Sequence, residues 1–196
     1  ALEIFEQSAV VDDILLMTDK EHVEYCKKEI CEKYGIKKVS AVAPGGKERY
    51  ESVGKALCIL KEREQTGYVM IHDGARPFIT EEVLKRIYGQ VQDKKACVVG
   101  MPVKDTIKLI NKDRQITESP DRSLVWQAQT PQAFALPLII DAFEKQMKED
   151  CSHITDDAMV VEKQLGLPVY MVEGSYRKIT ITTQEDLVIA QALLKA

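Results

Sequence analysis

Short apolar runs alternate along the chain with longer stretches in which apolar residues recur three or four positions apart. The first pattern is typical of β-strands and the second of amphipathic helices. Continuous runs occupy residues 14–17 (ILLM), 68–71 (YVMI) and 96–103 (ACVVGMPV). Because strands that are apolar on both faces lie between helical layers, the pattern predicts an α/β fold with three layers and a mainly parallel sheet.

Polar residues mark the expected starts of several helices. Thr18 and Glu21 have the spacing of a capping box in front of the first predicted helix. Thr155 stands where it would cap the helix before the last one, and Thr183 and Asp186 repeat the capping spacing in front of the final helix. These signals predict where three of the helices begin.

Residues 105–122 interrupt the alternation of strands and helices. They read TIKLI, a polar turn NKDR, and QITES, which is typical of a two-stranded antiparallel β-arm with little apolar surface of its own to bury. Beyond this arm, residues 168–174 and 178–182 are predicted as the last two strands. We therefore interpret residues 1–196 as a single domain that carries the arm.

Composition excludes several classes of protein. Apolar residues make up 45% and charged residues 30% of the 196-residue chain, as in ordinary globular domains. The net charge of −4 argues against general binding of nucleic acid or anionic membranes, which requires a surplus of Lys and Arg. Five scattered cysteines without a CxxC pair indicate neither a disulfide framework nor a zinc site. We expect a cytoplasmic protein without a secretion signal or membrane span.

Loops that follow the strands are the candidate sites, because ligands of open α/β sheets bind beyond the carboxyl ends of the strands. One such loop places Gly45, Gly46 and Arg49 directly before a helix. Glycines permit a close backbone approach, and the N–H groups of a helix start together with a cation would attract an anion. From the glycine pair alone, a helix-entry turn with solvated charges is the simpler interpretation.

A second loop follows the strand at 68–71 and contains Asp73 and Arg76. A carboxylate at a strand end can hold a divalent cation or a ribose hydroxyl, and the planar guanidinium suits a phosphate. The alternative is that the two side chains pair with each other. His72 is interpreted as a packed, hydrogen-bonded imidazole, since no partner set of acid and nucleophile is visible for it.

Two further loops carry weaker signals. Asp105 and Thr106 follow the strand at 96–103 and are equally compatible with a ligand contact and with a polar turn. Thr155 and the two acids after it suit capping and the helix dipole, which favours a structural interpretation. His153 beside these acids is poor evidence for a metal site.

Motifs distributed over nearly the whole chain resemble the family of 2-C-methyl-D-erythritol 4-phosphate cytidylyltransferases. In order, they are GGKERYESV, IHDGARPFI, PVKDTIK, DRSLVWQAQTPQAF, TDDAMVVE and ITTQEDLVIAQALL. The resemblance implies a Rossmann-like nucleotidyltransferase fold and a homodimer formed through the arm. It also implies transfer of a cytidylyl group from CTP to methylerythritol phosphate, with Mg²⁺ or another divalent cation and release of pyrophosphate, in the non-mevalonate route to isoprenoids.

The resemblance also implies roles for individual residues. The CTP pocket would contain Gly45, Gly46, Arg49, Ser52, Asp73 and Gly74. The polyol phosphate would contact Asp73, Arg76, Thr130 and Thr155 and, from the partner's arm, Thr106 and Arg122. Asp73 would in addition hold the metal, and Asp73, Arg76 and Arg122 would take part in catalysis.

Two departures from the family pattern affect these expectations. The family begins with a strand and a glycine-rich loop, AAGxGxRM, and a PK motif, none of which is in the sequence given; we therefore expect an N-terminally incomplete domain that is not active alone. In the segment KITIT, Thr180 stands where the family has a phosphate-orienting lysine. Lys178, two residues earlier and on the same face of a strand, is the candidate replacement. At the position of Lys47 the family often has Asp. This difference weakens the prediction that the side chain at position 47 contacts CTP.

Three other functions compete with this interpretation. Cytidylyl transfer to ribitol 5-phosphate, by a sister family with similar motifs, is the nearest alternative. A dehydrogenase on a doubly wound sheet is disfavoured because the sequence has no GxGxxG. A catalytically degenerate dimeric scaffold is favoured by Thr180 and opposed by the retained Asp73, Arg76 and Arg122.

Overall fold

The computed structural model describes residues 1–177 and 179–195. Its helices are α1 (Leu2–Gln7), α2 (Val23–Tyr25, continued by a π-helical segment Cys26–Glu32), α3 (Arg49–Glu62), α4 (Glu81–Lys94), α5 (Leu136–Gln146), α6 (Asp157–Leu165) and α7 (Gln184–Lys195). Its strands are β1 (Ile14–Thr18), β2 (Val39–Pro44), β3 (Tyr68–Ile71), β4 (Ala96–Pro102), β5 (Leu109–Ile110), β6 (Ile116–Glu118), β7 (Trp126–Ala135) and β8 (Tyr170–Glu173).

The strands form a four-stranded sheet, a parallel pair and the arm. The four-stranded sheet has the order β3-β7-β4-β8, and β1 pairs with β2 in parallel. Strands β4 and β8 are also parallel, whereas β7 lies antiparallel to both β3 and β4. The prediction of a mainly parallel arrangement therefore holds for β3, β4 and β8, which share one direction. Strand β7 runs in the opposite direction and lies between β3 and β4.

Helices cover both faces of this sheet, which confirms the three-layer α/β fold. On one face, α1 and α4 pack against Cys97 and Val99 of β4. On the other face, α3, α5 and α6 pack against Ala96 and Phe134. Neighbouring residues of β4 point to opposite faces because side chains alternate along a strand. Every residue of β4 from 96 to 101 is buried, as its continuous apolar run predicts.

Two of the predicted helix caps are wrong. Thr18 does not cap a helix, because it pairs in β1 with Pro44 and its carbonyl accepts a hydrogen bond from the N–H of Gly45 (2.7 Å). Thr155 does not cap α6 either, since Asp156 is the N-cap and accepts from the N–H of Met159 (3.0 Å).

Residues 179–182 form no strand. The N–H of Ile181 instead donates to the carbonyl of Ala75 (2.8 Å), so this segment bonds to a loop and not to a sheet edge. Residue Lys178, which the same prediction includes, lies outside the described residues. The capping box of α7 is confirmed, because Thr183 and Asp186 exchange hydrogen bonds between their side chains and backbone N–H groups.

Residues 105–122 contain the β-arm. Strands β5 and β6 pair in an antiparallel hairpin of five strand residues, as the sequence predicts for residues 105–122. Their side chains are exposed.

Among the residues that the structure describes, no helix has the length and apolar character that crossing a membrane requires.

Candidate active site

The antiparallel pairing of β3 and β7 determines where the candidate site lies. Ile71, at the end of β3, pairs with Gln132, so the chain beyond β3 passes directly alongside Thr130. A cleft of about 230 Å³ opens there. Its lining residues come from four separate segments and are Arg49, Asp73, Arg76, Ala128, Gln129, Thr130, Gln132, Thr155 and Asp156.

Asp73 is held between two guanidinium groups. Its Oδ1 accepts from Nε of Arg49 (2.9 Å) and its Oδ2 accepts from Nε of Arg76 (3.3 Å). Partial burial opposes ionisation of this carboxyl group, but the hydrogen bonds and charges of Arg49 and Arg76 outweigh it and lower the pKa of Asp73. The side chain is therefore ionised at neutral pH, with part of its surface open to the cleft.

Arg49 reaches past Asp73 to a second carboxylate. Its two terminal nitrogens donate to Oδ1 (2.9 Å) and Oδ2 (2.7 Å) of Asp157, the first residue of α6. This bidentate pair is buried on one side, since the side chain of Asp157 is 1% exposed and that of Arg49 is 35% exposed. Burial raises the pKa of Asp157 despite the guanidinium, while the two acids raise the pKa of Arg49 against the effect of burial. We call Arg49, Asp73, Arg76 and Asp157 the polar junction.

A buried glutamine of β7 forms hydrogen bonds with the start of α6. Oε1 of Gln132 accepts from the N–H groups of Asp157 (3.0 Å) and Ala158 (2.9 Å), and its Nε2 donates to Oδ2 of Asp156 (2.9 Å). These bonds satisfy helix N–H groups that would otherwise lack partners. Thr155 lies beside them at the edge of the cleft, exposed, with its hydroxyl near the sulfur of Met159 (3.8 Å).

The glycine loop is packed against the start of α3. A Cβ atom on Gly45 would lie 2.6 Å from Oγ of Ser52, and one on Gly46 would lie 2.2 Å from Cβ of Glu51. The N–H of Gly46 donates to Ser52 Oγ (2.9 Å), and that of Lys47 donates to Oε2 of Glu51 (2.7 Å). Both glycines are therefore required by close packing, and the N–H groups expected to bind an anion are bonded to side chains of α3.

A short hydrogen-bonded turn presents Asp73 and Arg76 to the cleft. The N–H of Arg76 donates to the carbonyl of Asp73 (3.0 Å), and the N–H of Asp73 donates to Oγ1 of Thr130 (3.2 Å). Thr130 is 3% exposed, so its hydroxyl serves the backbone of the turn. Gly74 is exposed, and a Cβ there would meet no atom within 4 Å, so packing does not require glycine at this position.

The remaining predicted residues lie away from the cleft. Thr106 and Arg122 are exposed at the base of the arm, where Arg122 donates to the carbonyl of Lys104 (3.2 Å). Thr180 belongs to the segment that bonds to Ala75, but it does not line the cleft. Lys178 lies outside the described residues. Within one chain, the structure thus assembles the polar junction, Thr130 and Thr155, and leaves the arm residues apart.

Metal ligands are sparse in this cleft. In the part of the chain that the structure describes, no group of three or more His, Cys, Asp or Glu residues could hold a metal ion. A cation would therefore need ligands from a bound molecule in addition to Asp73. Single-carboxylate sites of this kind are usual for Mg²⁺ in the presence of phosphates.

Sequence reasoning missed three residues of the site. Asp157 was interpreted only as part of a helix start, because its partner Arg49 lies 108 positions away in the sequence. Gln132 and Gln129 were quoted within a motif without a role. Gln129 is 8% exposed, donates to the carbonyl of Ser175 (3.1 Å), and has no partner for Oε1 among the described residues. The only available signal was the occurrence of two glutamines around the Thr-Pro pair.

Comparisons with known proteins agree with this architecture. A model of the 2-C-methyl-D-erythritol 4-phosphate cytidylyltransferase family matches residues 1–196. The protein of that name from Lachnoclostridium phytofermentans is 42% identical over 195 residues, which cover 100% of this chain and 82% of the relative. The one from Clostridioides difficile is 42% identical over 193 residues, which cover 98% and 79%.

Solved structures give the same result at the level of the fold. The crystal structure of 4-diphosphocytidyl-2C-methyl-D-erythritol synthase from Anaerococcus prevotii superposes with a TM-score of 0.90 at 34% identity, covering 100% of this chain and 84% of that one. The corresponding cytidylyltransferase from Francisella tularensis gives a TM-score of 0.81 at 27% identity, over 97% and 84%. Since the family match extends over the whole sequence, this chain belongs to the 2-C-methyl-D-erythritol 4-phosphate cytidylyltransferase family.

Proposed function

We propose that the protein transfers the cytidylyl group of CTP to 2-C-methyl-D-erythritol 4-phosphate and releases pyrophosphate, a step of non-mevalonate isoprenoid biosynthesis in the cytoplasm. The observation that supports this most directly is the ionised Asp73 held between Arg49 and Arg76 at the mouth of the cleft. Membership in the family supplies the chemical identity of the two substrates. We further propose that residues 1–196 act as one nucleotidyltransferase domain.

The reaction needs positioning more than it needs a side-chain nucleophile. A phosphate oxygen of the polyol attacks the α-phosphorus of CTP in line, the new P–O bond forms, and the bond from the α-phosphorus to the pyrophosphate oxygen breaks. Negative charge spreads over the phosphoryl oxygens, so fixed cations and donors stabilise the transition state. Arg76 would face the sugar phosphate, and Thr155 at the cleft edge would hold the polyol. Gly45, Gly46 and Ser52 would shape the nucleotide side of the pocket.

Asp73 is the residue that would hold Mg²⁺. It is ionised and partly exposed, and after one hydrogen bond to each oxygen both oxygens retain a lone pair directed elsewhere. One carboxylate together with substrate phosphates is a common way to bind this ion. When bound, the ion would neutralise charge on the triphosphate. Gly74, next to Asp73, would allow the nucleotide to approach the backbone.

The arm would complete the site in a homodimer. Leu109, Ile110 and Ile116 are 47%, 56% and 62% exposed, which is unusual for three large apolar side chains on so short a hairpin. Burial against a second copy would remove them from water. We propose that residues 105–122 bring Thr106 and Arg122 to the cleft of the partner subunit, where a guanidinium would neutralise phosphate charge.

The phosphate-orienting lysine of the family is replaced by Thr180, and we propose that Lys178 takes its role. Lys178→Ala should then raise the KM for the polyol phosphate and leave the KM for CTP unchanged. Adding Thr180→Lys to this variant should restore the lost affinity, because it returns an ammonium group to the family position. Unchanged polyol affinity in Lys178→Ala would exclude the replacement.

The overall proposal is tested with the full-length gene product. Pyrophosphate release should be observed with CTP, Mg²⁺ and methylerythritol phosphate, and should be much slower with ribitol 5-phosphate. Asp73→Asn should reduce turnover about 100-fold, since a misplaced reacting group costs roughly that factor. A preference for ribitol 5-phosphate would favour the sister activity. Calorimetry that detects no binding of CTP with Mg²⁺ would favour a degenerate dimeric scaffold.

A further inference from the structure

We propose that His72 is a positioning residue that fixes the turn from Asp73 to Arg76 through hydrogen bonds at both of its ring nitrogens. The inference deepens the proposed function and depends on it, because the residues being positioned are those assigned to the metal and the sugar phosphate. The sequence predicted a packed, hydrogen-bonded imidazole at His72, and the structure confirms it. The structure adds the identity of the two partners, which gives the ring a role in the site.

Both ring nitrogens of His72 reach residues of the candidate site. Nδ1 lies 3.0 Å from Oγ1 of Thr130, and Nε2 lies 3.0 Å from the carbonyl oxygen of Arg76. The ring is supported from behind by Phe5, with 5.1 Å between ring centroids and 52° between the planes. Phe5 is itself buried, in the core beneath β3 and α4. The imidazole therefore connects Thr130 of β7 with the backbone of Arg76.

The partners determine the direction of each hydrogen bond. A carbonyl oxygen only accepts, so Nε2 of His72 carries the proton that it donates to Arg76. In the neutral ring Nδ1 is then an acceptor, and the hydroxyl of Thr130 donates to it. Oγ1 of Thr130 in turn accepts the N–H of Asp73 (3.2 Å). A directed series thus runs from the backbone of Asp73 through Thr130 to His72 and on to the carbonyl of Arg76.

This series changes the role expected of Thr130. Its hydroxyl proton is directed to His72, and its oxygen is bonded to the backbone of Asp73. Thr130 therefore acts on the reaction by holding Asp73 in place. His72 completes the arrangement, because neutral imidazole offers one donor and one acceptor on opposite sides of a rigid ring.

Positioning of this kind affects turnover more than ground-state binding. Asp73 and Arg76 must lie correctly relative to both phosphates in the transition state, and a displacement of about 1 Å can cost about 100-fold in rate. Loss of the two bonds of His72 would leave the carbonyl of Arg76 and the hydroxyl of Thr130 without this partner and would loosen the turn. The carboxylate of Asp73 would still be bonded to Arg49, so substrate affinity should change less than kcat.

Three variants of the full-length protein separate the two bonds. His72→Asn places an amide oxygen near the Nδ1 position and can preserve the bond from Thr130. His72→Gln places an amide nitrogen near the Nε2 position and can preserve the bond to Arg76. His72→Phe fills the space against Phe5 and makes neither bond. We expect kcat to fall about 10- to 100-fold in His72→Phe, with the KM for CTP changed less than threefold, and to recover partly in each amide variant.

A control variant separates positioning from loss of stability. Gln146→Met removes a buried amide that does not line the cleft. Its Nε2 donates to the carbonyl of Asp150 (3.0 Å) and its Oε1 accepts from Gln164 (2.9 Å). We expect this variant to lower the melting temperature like His72→Phe and to retain kcat. Equal kcat values for the wild type and all three His72 variants would overturn the inference. So would a fall in kcat for the Gln146 control as large as that for His72→Phe.

A spectroscopic measurement tests the inference independently of turnover. Long-range proton–nitrogen correlation spectra distinguish protonated from bare imidazole nitrogens, and His72→Asn identifies the signals that belong to this ring. We expect a proton on Nε2 of His72, and faster amide hydrogen exchange at Asp73 in His72→Phe than in the wild type. A proton on Nδ1 alone would overturn the inference even in an active enzyme. Absence of turnover by the wild type with the two substrates would overturn the proposed function and leave this measurement decisive for His72.

Discussion

The polar junction and the β-arm show two opposite ways of holding functional side chains. In the junction, Arg49, Asp73 and Asp157 come from three distant segments, and every bond between them spans at least 24 residues of chain. In the arm, hydrogen bonds are local, such as those from Asn111 to Gln115 and from Lys108 to Ser119. Long-range bonds fix the junction within one chain. Local bonds give the arm a shape and leave its apolar surface without a partner in that chain.

The difference implies that the two regions respond differently to mutation. Charges in the junction are partly or wholly removed from water, so an unpaired one is costly. Side chains on the arm are exposed, so their loss should leave the folding of the subunit unchanged and alter assembly.

Removal of the buried acid should destabilise the fold strongly. Asp157→Ala deprives Arg49 of its bidentate partner, and breaking a buried ion pair from one side costs about 3 kcal/mol. Urea unfolding of the wild type and the variant measures the difference. The matched control is Asp141→Ala, which removes the exposed pair with Lys145 (2.9 Å) and should cost less than about 0.5 kcal/mol. Equal losses in the two variants would contradict the special role of the junction.

Activity recovered by mixing subunits would connect the two regions directly. Asp73→Asn damages the junction and Arg122→Ala damages the arm, and each variant alone should lose about 100-fold in turnover if the arm serves the partner's cleft. A heterodimer of the two has one cleft with both residues intact. After exchange of subunits at equal concentration, about a quarter of the wild-type activity should return in a symmetric dimer.

The same mixing experiment contains its own control. Samples of a single variant mixed with themselves should recover nothing. If the mixture of Asp73→Asn and Arg122→Ala also stays inactive while size measurements show heterodimers, the arm does not reach the partner's cleft. Recovery without any dimer would be equally incompatible with the arrangement.

The sequence predicted features that depend on local signals and failed where long-range bonds determine the structure. Continuous apolar runs predicted β1, β3 and β4, because residues on both faces of these strands are partly buried in β1 and β3 and almost all buried in β4, which leaves a local signal. The cap at Thr18 was wrong because pairing with Pro44 extended β1 through that residue. The strand predicted at 178–182 was wrong for residues 179–182, because a bond from Ile181 to Ala75, on a loop, replaces the bonds of a β-ladder. Tertiary bonds overrode local preference in both cases.

The candidate site was predictable to the extent that its signals were local. Asp73 and Arg76 follow a buried strand within four residues of each other, and the position of that turn in an α/β sheet indicates a ligand site. The pairing of Arg49 with Asp157 and the reversed direction of β7 leave no local pattern. His72 was correctly interpreted as a packed, hydrogen-bonded imidazole, but its partner Thr130 lies on another strand and left no local signal.

Acid should weaken the junction and leave the arm unaffected. The pKa of Asp73 is lower in the folded protein than its ordinary value of 3.8. The stability that its ionised form contributes is therefore complete above that value and is lost as the pH falls through the lowered pKa. Asp157 has the opposite sign, because burial raises its pKa and disfavours its ionised form.

The variant that isolates this effect is Asp73→Asn. Its deficit in unfolding free energy relative to the wild type should be clear at about pH 6 and smaller at about pH 2.5, because the wild-type carboxylate takes up a proton as the pH falls through its lowered pKa. Ile116→Thr on the arm is the control, because its small difference from the wild type involves no titrating group. An Asp73→Asn deficit that is the same at both pH values would mean that the guanidinium contacts do not stabilise the fold.

The smallest effect on stability is expected beside the junction, at Gly74, the residue that follows Asp73. A Cβ atom there would touch nothing within 4 Å, and the residue does not adopt positive φ, so Gly74→Ala should change the unfolding free energy by less than about 0.5 kcal/mol. Gly166→Ala is the matched comparison, since it also has free space around it but holds φ at +61° and should lose about 1 kcal/mol. With stability unchanged, any rise in the KM for CTP in Gly74→Ala reports a ligand that approaches the backbone beside Asp73. An unchanged KM would remove Gly74 from the proposed nucleotide pocket.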